Sequence, residues 1–213
     1  MSSSEEDFSR NVFINCPFDP EYVPLLRSLL FTVIFVGYNP RIASERFDSG
    51  EARISKICDL IKCSRYSIHD ISRIQSSRRG EYYRLNMPLE LGIDIGCRLA
   101  SKGILQSKTC LILEKDKYRY QKALSDLSNS DIKSHNNDPE TLVFQVRNWF
   151  TELGLRNVPS ATKIWERFNE FMADFFEARE RDGYQDRDLE FMPVPEYMDF
   201  VKEWITENIR QVK

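Results

Sequence analysis

The chain has 213 residues, with 30 Lys and Arg against 33 Asp and Glu for a net charge of −3, and 41% hydrophobic residues. That length accommodates one full domain plus an extension, and its core can stand without disulfide or metal staples. A slightly acidic total argues against a protein that coats nucleic acid, because nonspecific binding there rests on Lys and Arg neutralising phosphates.

The first ten residues, MSSSEEDFSR, are polar and acidic and lack the apolar stretch of a secretory signal, so residues 1–10 read as a disordered tail. The most apolar run, Leu29 to Val36, is far shorter than the ~20 residues that span a bilayer, so no membrane association is expected. Five cysteines, an odd number without a signal, read as free thiols of a cytoplasmic protein, and their spacings do not suggest a metal site.

Asn11 to Asn15 (NVFIN) reads as a buried strand that ends in the loop CPFDP. A helix apolar on nearly all sides follows from Glu21 to Val36, stopped by Gly37 and Pro40, and RIASE (Arg41 to Glu45) is the second strand. Ile54, Ile57, Cys58 and Ile61 mark a helix over 51–62, and YSIHDIS (Tyr66 to Ser72) is a third strand. The polar loop IQSSRRGEYYR leads to a third helix that begins near Pro88, with Leu89, Ile93, Gly96, Cys97 and Ala100 facing inward. Thr109 to Leu113 forms a fourth strand, and Glu140 to Leu153 a helix with Val143, Val146, Trp149 and Phe150 on one side. Beyond Pro159, Ile164, Phe168, Phe171 and Phe175 make an aromatic helical stripe, and a last helix begins near Pro195.

Strands alternating with helices imply an α/β domain over 11–158, a parallel sheet of four to five strands with helices on both faces in the common order 2-1-3-4-5. Residues 159–213 form a helical extension that packs on this domain or mediates assembly.

In such a sheet ligands bind beyond the carboxyl ends of the strands, where strand order reverses. The loops after Asn15 and Ser72 then form opposite walls, overlooked by the start of the third helix. The key residue is Glu90 in that helix's first turn, either capping free N–H groups as a capping box with Met87 or acting as catalyst. Asp94 lies one turn on, on the same side, and repulsion between the two is expected to raise the pKa of one of them. A carboxylate here suits cleavage of an N-glycosidic bond, because the sugar becomes cationic. NAD needs only one acid, since its nicotinamide is already a cationic leaving group, whereas a neutral nucleoside needs a general acid at the base.

Asp70 and Ser72 bond a ribose hydroxyl or orient Glu90, unless Asp70 merely caps the turn. His69 faces away from Asp70 and reads as packing or hydrogen bonding. Asn15, Cys16 and Asp19 border the crevice and either position substrate or build the turn; Cys16 has no visible base to activate it. Arg73, Arg78, Arg79 and Arg84, interleaved with Tyr82 and Tyr83, hold a pyrophosphate or stack bases, or lie solvated, and Asn86 joins Arg73 and Arg84 as a candidate substrate contact. No glycine-rich phosphate loop follows the first strand, and no GxSxG elbow is present.

FINCPFDP (Phe13 to Pro20), YSIHDIS, NMPLELG (Asn86 to Gly92) and YRYQ (Tyr118 to Gln121) together resemble a bacterial family of TIR-like, nucleoside 2-deoxyribosyltransferase-like domains, over roughly residues 10–150. The resemblance implies a flavodoxin-like sheet and, at Glu90, a nucleophile or ribose-coordinating residue acting on NAD or nucleosides. It also implies antiphage defence by a protein that self-assembles or works with a defence partner, with NAD as substrate and no separate cofactor. The tryptophan that often precedes the TIR glutamate has no counterpart in NMPLELG. The alternatives are a nucleoside or nucleotide N-glycosidase or deoxyribosyltransferase, and a non-catalytic nucleotide-sensing or protein-interaction module.

Overall fold

A computed structural model describes residues 3–75, 85–128 and 130–209. Five strands, β1 (Asn11–Asn15), β2 (Asn39–Ile42), β3 (Tyr66–Asp70), β4 (Thr109–Glu114) and β5 (Lys133–Ser134), lie parallel in the order β2-β1-β3-β4-β5. Ile14 stands beside Ile42 and Ile68, and Ile68 beside Leu111, so the apolar positions run level across the sheet. This is the flavodoxin-like α/β arrangement that the alternation of strands and helices predicts.

Alternation along each strand divides the side chains between two faces. Val12, Ile14, Ile68, Leu111 and Leu113 pack under α2 (Val23–Phe35) and α5 (Pro139–Glu152). On the other face Phe13 packs against α3 (Arg53–Lys62), and Ile112 against α4 (Asn86–Ala100). Helices α6 (Ala161–Arg181), α7 (Asp186–Glu190) and α8 (Val194–Ile209) form an outer layer over α2. This explains why α2 is apolar on nearly all sides: Phe31, fully buried, meets Phe168 and Phe171 of α6 at 5.5 Å and Trp204 of α8 at 6.1 Å. The C-terminal helices therefore share the core of the sheet domain.

Four boundaries differ from the sequence reading, each for a local reason. The supposed tail forms helix α1 (Ser3–Arg10), anchored where Phe8 is buried and its carbonyl accepts the Arg65 N–H at 3.0 Å. A single buried aromatic outweighs the polar composition there. Strand β2 comes earlier than 41–45, because the Glu45 carboxylate accepts the Ile42 N–H at 3.1 Å and the Arg41 Nε–H at 2.9 Å, turning 43–45 into a 3-10 turn. Pro40 fits because β2 is an edge strand. Strand β3 stops at Asp70, whose carboxylate accepts the Ser72 N–H at 2.8 Å and bends the chain away. Finally, α4 starts at Asn86, with Pro88 as its third residue, where a missing N–H leaves no intrahelical bond unmade. All five cysteines are free thiols, and no helix among the described residues is long and apolar enough to cross a membrane.

Candidate functional site

Strand order reverses at β1 and β3, and the carboxyl ends of these strands carry Asn15, Cys16, Asp70 and Ser72. Two buried polar networks meet there, one on each face of the sheet.

The first network ties α4 to the sheet. Asn15 Nδ2 donates to the Met87 carbonyl at 2.9 Å and to His69 Nδ1 at 3.0 Å. A carbonyl only accepts, so it fixes the orientation of the amide; His69 Nδ1 then accepts, and Nε2 donates to Asp94 Oδ2 at 2.9 Å. The Ser67 hydroxyl also donates to Asp94, and Lys108 Nζ lies 3.1 Å from its other oxygen. Burial pushes the Asp94 pKa up, but hydrogen bonds from His69 and Ser67 and the charge of Lys108 outweigh it and bring the carboxyl down to about 2. His69 thus proves to be a hydrogen-bonding residue, as its place in the strand suggested.

Glu90 lies one turn before Asp94 and is only 4% exposed. The capping reading is overturned. The helix is capped at Leu85, whose carbonyl accepts the Leu89 N–H at 3.0 Å, and Glu90 is the fifth helical residue, beyond reach of the free N–H groups. The expected repulsion from Asp94 is also corrected: Asp94 is occupied by His69 and Lys108, and burial is what raises the Glu90 pKa. The opposing influence is Arg53 of α3, whose guanidinium stands 3.7 Å from Oε1.

The second network lies on the α2 side. Asp70 is fully buried; Tyr22 donates its hydroxyl proton to Oδ2 at 2.6 Å, His135 Nε2 lies 3.0 Å from the same oxygen, and Ser72 N–H binds Oδ1. Burial favours the protonated carboxyl, yet His135, Ser72 and Tyr22 together lower its pKa. Of the roles open to Asp70, the geometry realises the turn cap, and its side chain points away from the α4 face that carries Glu90.

Cys16 sits between the networks, 1% exposed, its thiol pushed well up by burial and then by the charges of Asp70, Glu90 and Asp19. Burial, reinforced by those three negative charges, keeps it a protonated thiol, unfit as a nucleophile. Arg73 reaches Asp19 at 3.2 and 3.3 Å and locks the loop after β3 to the loop after β1. Asn86 is exposed at the first residue of α4, whereas Arg84, with Arg78, Arg79, Tyr82 and Tyr83, lies outside the described residues. The Ser72 hydroxyl is buried without a hydrogen-bond partner among the described residues.

Sequence reasoning missed four polar residues buried around these networks. Tyr22 and His135 are remote in the chain from Asp70, and Lys108 looks like a surface lysine before its strand. Glu114 ends β4, bound by Arg119, which also donates to the Ser72 carbonyl. Burial raises the Glu114 pKa, opposed by Arg119 and by the Lys115 N–H and reinforced by Asp70. An acid closing the apolar run TCLIL was the available signal.

A desolvated carboxylate beside a strand-order reversal, weakly neutralised by one arginine, can stabilise a cation that forms next to it. Comparison of the chain with protein-family models, with curated proteins and with solved structures returned no match.

Proposed function

We propose that the chain cleaves the nicotinamide–ribose bond of NAD, with Glu90 as the catalytic residue. The bond between C1′ and the pyridinium nitrogen breaks, and its electron pair leaves with neutral nicotinamide. The ionised Glu90 carboxylate stabilises the oxocarbenium-like sugar; water then adds at C1′ and releases a proton, or an internal nucleophile closes the ring. Asn15, Asp19, Arg73, Arg84 and Asn86 are the proposed contacts for ribose, amide and pyrophosphate. The observation that carries the reading is Glu90 itself: a buried carboxylate, relieved of any capping duty, on the helix whose first turn Asn15 ties to the carboxyl end of β1. By the motif resemblance, the setting is bacterial antiphage defence, with an assembled or partner-bound protein as the active form.

The test is to incubate the protein with NAD over a range of protein concentrations and follow free nicotinamide by chromatography. Release that disappears in Glu90→Gln supports the proposal; tight NAD binding without product points to a nucleotide-sensing module. A second reading, a nucleoside N-glycosidase or deoxyribosyltransferase, is favoured by Glu114, a second buried acid that holds its proton more firmly than usual. Release of hypoxanthine from deoxyinosine, with NAD untouched, distinguishes it.

A further inference from the structure

On the α2 side of the sheet, a cavity of about 180 Å3 opens between the loop after β1, the first turns of α2 and the α7–α8 connection. Its walls are largely apolar: Leu26 and Leu30 of α2, Leu189 and Val194 on either side of the connection, and Phe18 and Phe191. The two phenylalanines are 45% and 71% exposed, which leaves them standing at its rim.

Among the described residues one cation, Arg27, lines this apolar space. Its guanidinium donates to the Leu189 carbonyl at 2.7 Å and lies 5.6 to 5.8 Å from the rings of Phe175, Phe176 and Tyr197. No carboxylate among the described residues pairs with it. The two acids that also line the cavity do not serve: Asp19 is held by Arg73 at 3.2 Å, and Glu190 is exposed. A guanidinium has five N–H donors, so hydrogen-bonding capacity remains after Leu189, and a partly dehydrated cation gains most from an anion. The volume is below the 300 Å3 or so at which drug-sized sites begin, which limits the occupant to a small molecule.

We propose that this cavity binds a short-chain organic carboxylate, the carboxylate on Arg27 and the hydrocarbon body against Leu26, Leu30 and Val194. The site is separate from Glu90 and does not depend on the NAD reading.

The test uses protein with 13C-labelled Leu and Val methyl groups, titrated with hexanoate and, separately, with hexanol. Hexanoate is expected to shift the methyls of Leu26, Leu30 and Val194 saturably, at concentrations roughly tenfold or more below hexanol. Arg27→Gln is expected to bring the two probes together. Equal response to both probes in the unaltered chain overturns the proposal, as does the absence of saturable shifts at these methyls. Shifts of the same methyls on raising protein concentration without probe also overturn it, since they assign the cavity to a second copy of the chain. If Arg27→Gln fails to fold, the comparison of hexanoate with hexanol on the unaltered protein still decides.

Discussion

The Asn15 side chain donates to the Met87 carbonyl at 2.9 Å, joining the last residue of the first strand to the first turn of the helix that carries Glu90. The same amide holds His69, so three segments distant in sequence take their positions from one side chain. Replacing it with Leu leaves His69 Nδ1 buried without a donor and removes the bond that ties the Met87 carbonyl to the sheet. Asn15→Leu is expected to lose about 1–3 kcal/mol in urea unfolding. Under the proposed function, nicotinamide release falls as well, because the Glu90 helix loses its anchor.

Glu90→Gln separates structure from chemistry. Burial raises the Glu90 pKa above its ordinary value of 4.5. The fold therefore favours the protonated carboxyl, and the stability it contributes is fully present below the unfolded pKa and declines as pH rises through the folded one. Gln removes that decline, so the variant is expected to match or exceed the parent in stability at pH 7, measured by urea unfolding. Activity, which requires the ionised form, is expected to fall at least ~100-fold, and the parent's acid limb lies above pH 4.5.

Asp94 behaves in the opposite sense. Its pKa, lowered from 3.8 to about 2, supplies stability that is present above pH 3.8 and lost as pH falls through about 2. That difference corresponds to about 2 kcal/mol. Asp94→Asn is expected to flatten acid unfolding over this window. At pH 7 it costs about 3–5 kcal/mol, because Lys108 is left buried without its counter-charge.

Phe31→Ala tests the shared core. The ring contacts α6 and α8 together, so its loss is expected to cost about 3–5 kcal/mol. Trp204 fluorescence should then change in the same transition as circular dichroism. Two separate transitions count against a common core.

Cys16 offers a chemical check. Buried and held as a thiol, it should resist iodoacetamide in the native protein and react once the chain is unfolded in urea. Mass spectrometry of the peptide that contains it reads this directly.

The alternation of strands and helices was legible because apolar runs such as NVFIN, YSIHD and TCLIL are bounded by Gly, Pro and polar clusters, and the helices between them repeat every three to four residues; the strand order followed from the common topology of such sheets. Glu90 was legible as a candidate for the same reason, since the helix containing it follows the third strand. Its environment was not. Whether a carboxylate caps a helix or lies one turn inside depends on where the helix starts, and Leu85 has no side-chain signature of a cap. Asp70 read as either a substrate contact or a turn cap because its other partners come from elsewhere: Tyr22 lies 48 residues away, and His135 arrives only when β5 joins the edge. Phe8, one aromatic among charged neighbours, gave no periodicity from which a helix could be read.

The helix at Val23–Phe35 lies between the sheet and the outer helices, and this has a bearing on biosynthesis. While the chain is still emerging from the ribosome, the surface of Leu26 and Phe31 meant for α6 and α8 faces water. Its burial waits for residues made more than 120 positions later. Nascent chains halted before α6 should therefore recruit chaperones or cling to one another, whereas finished ones should not.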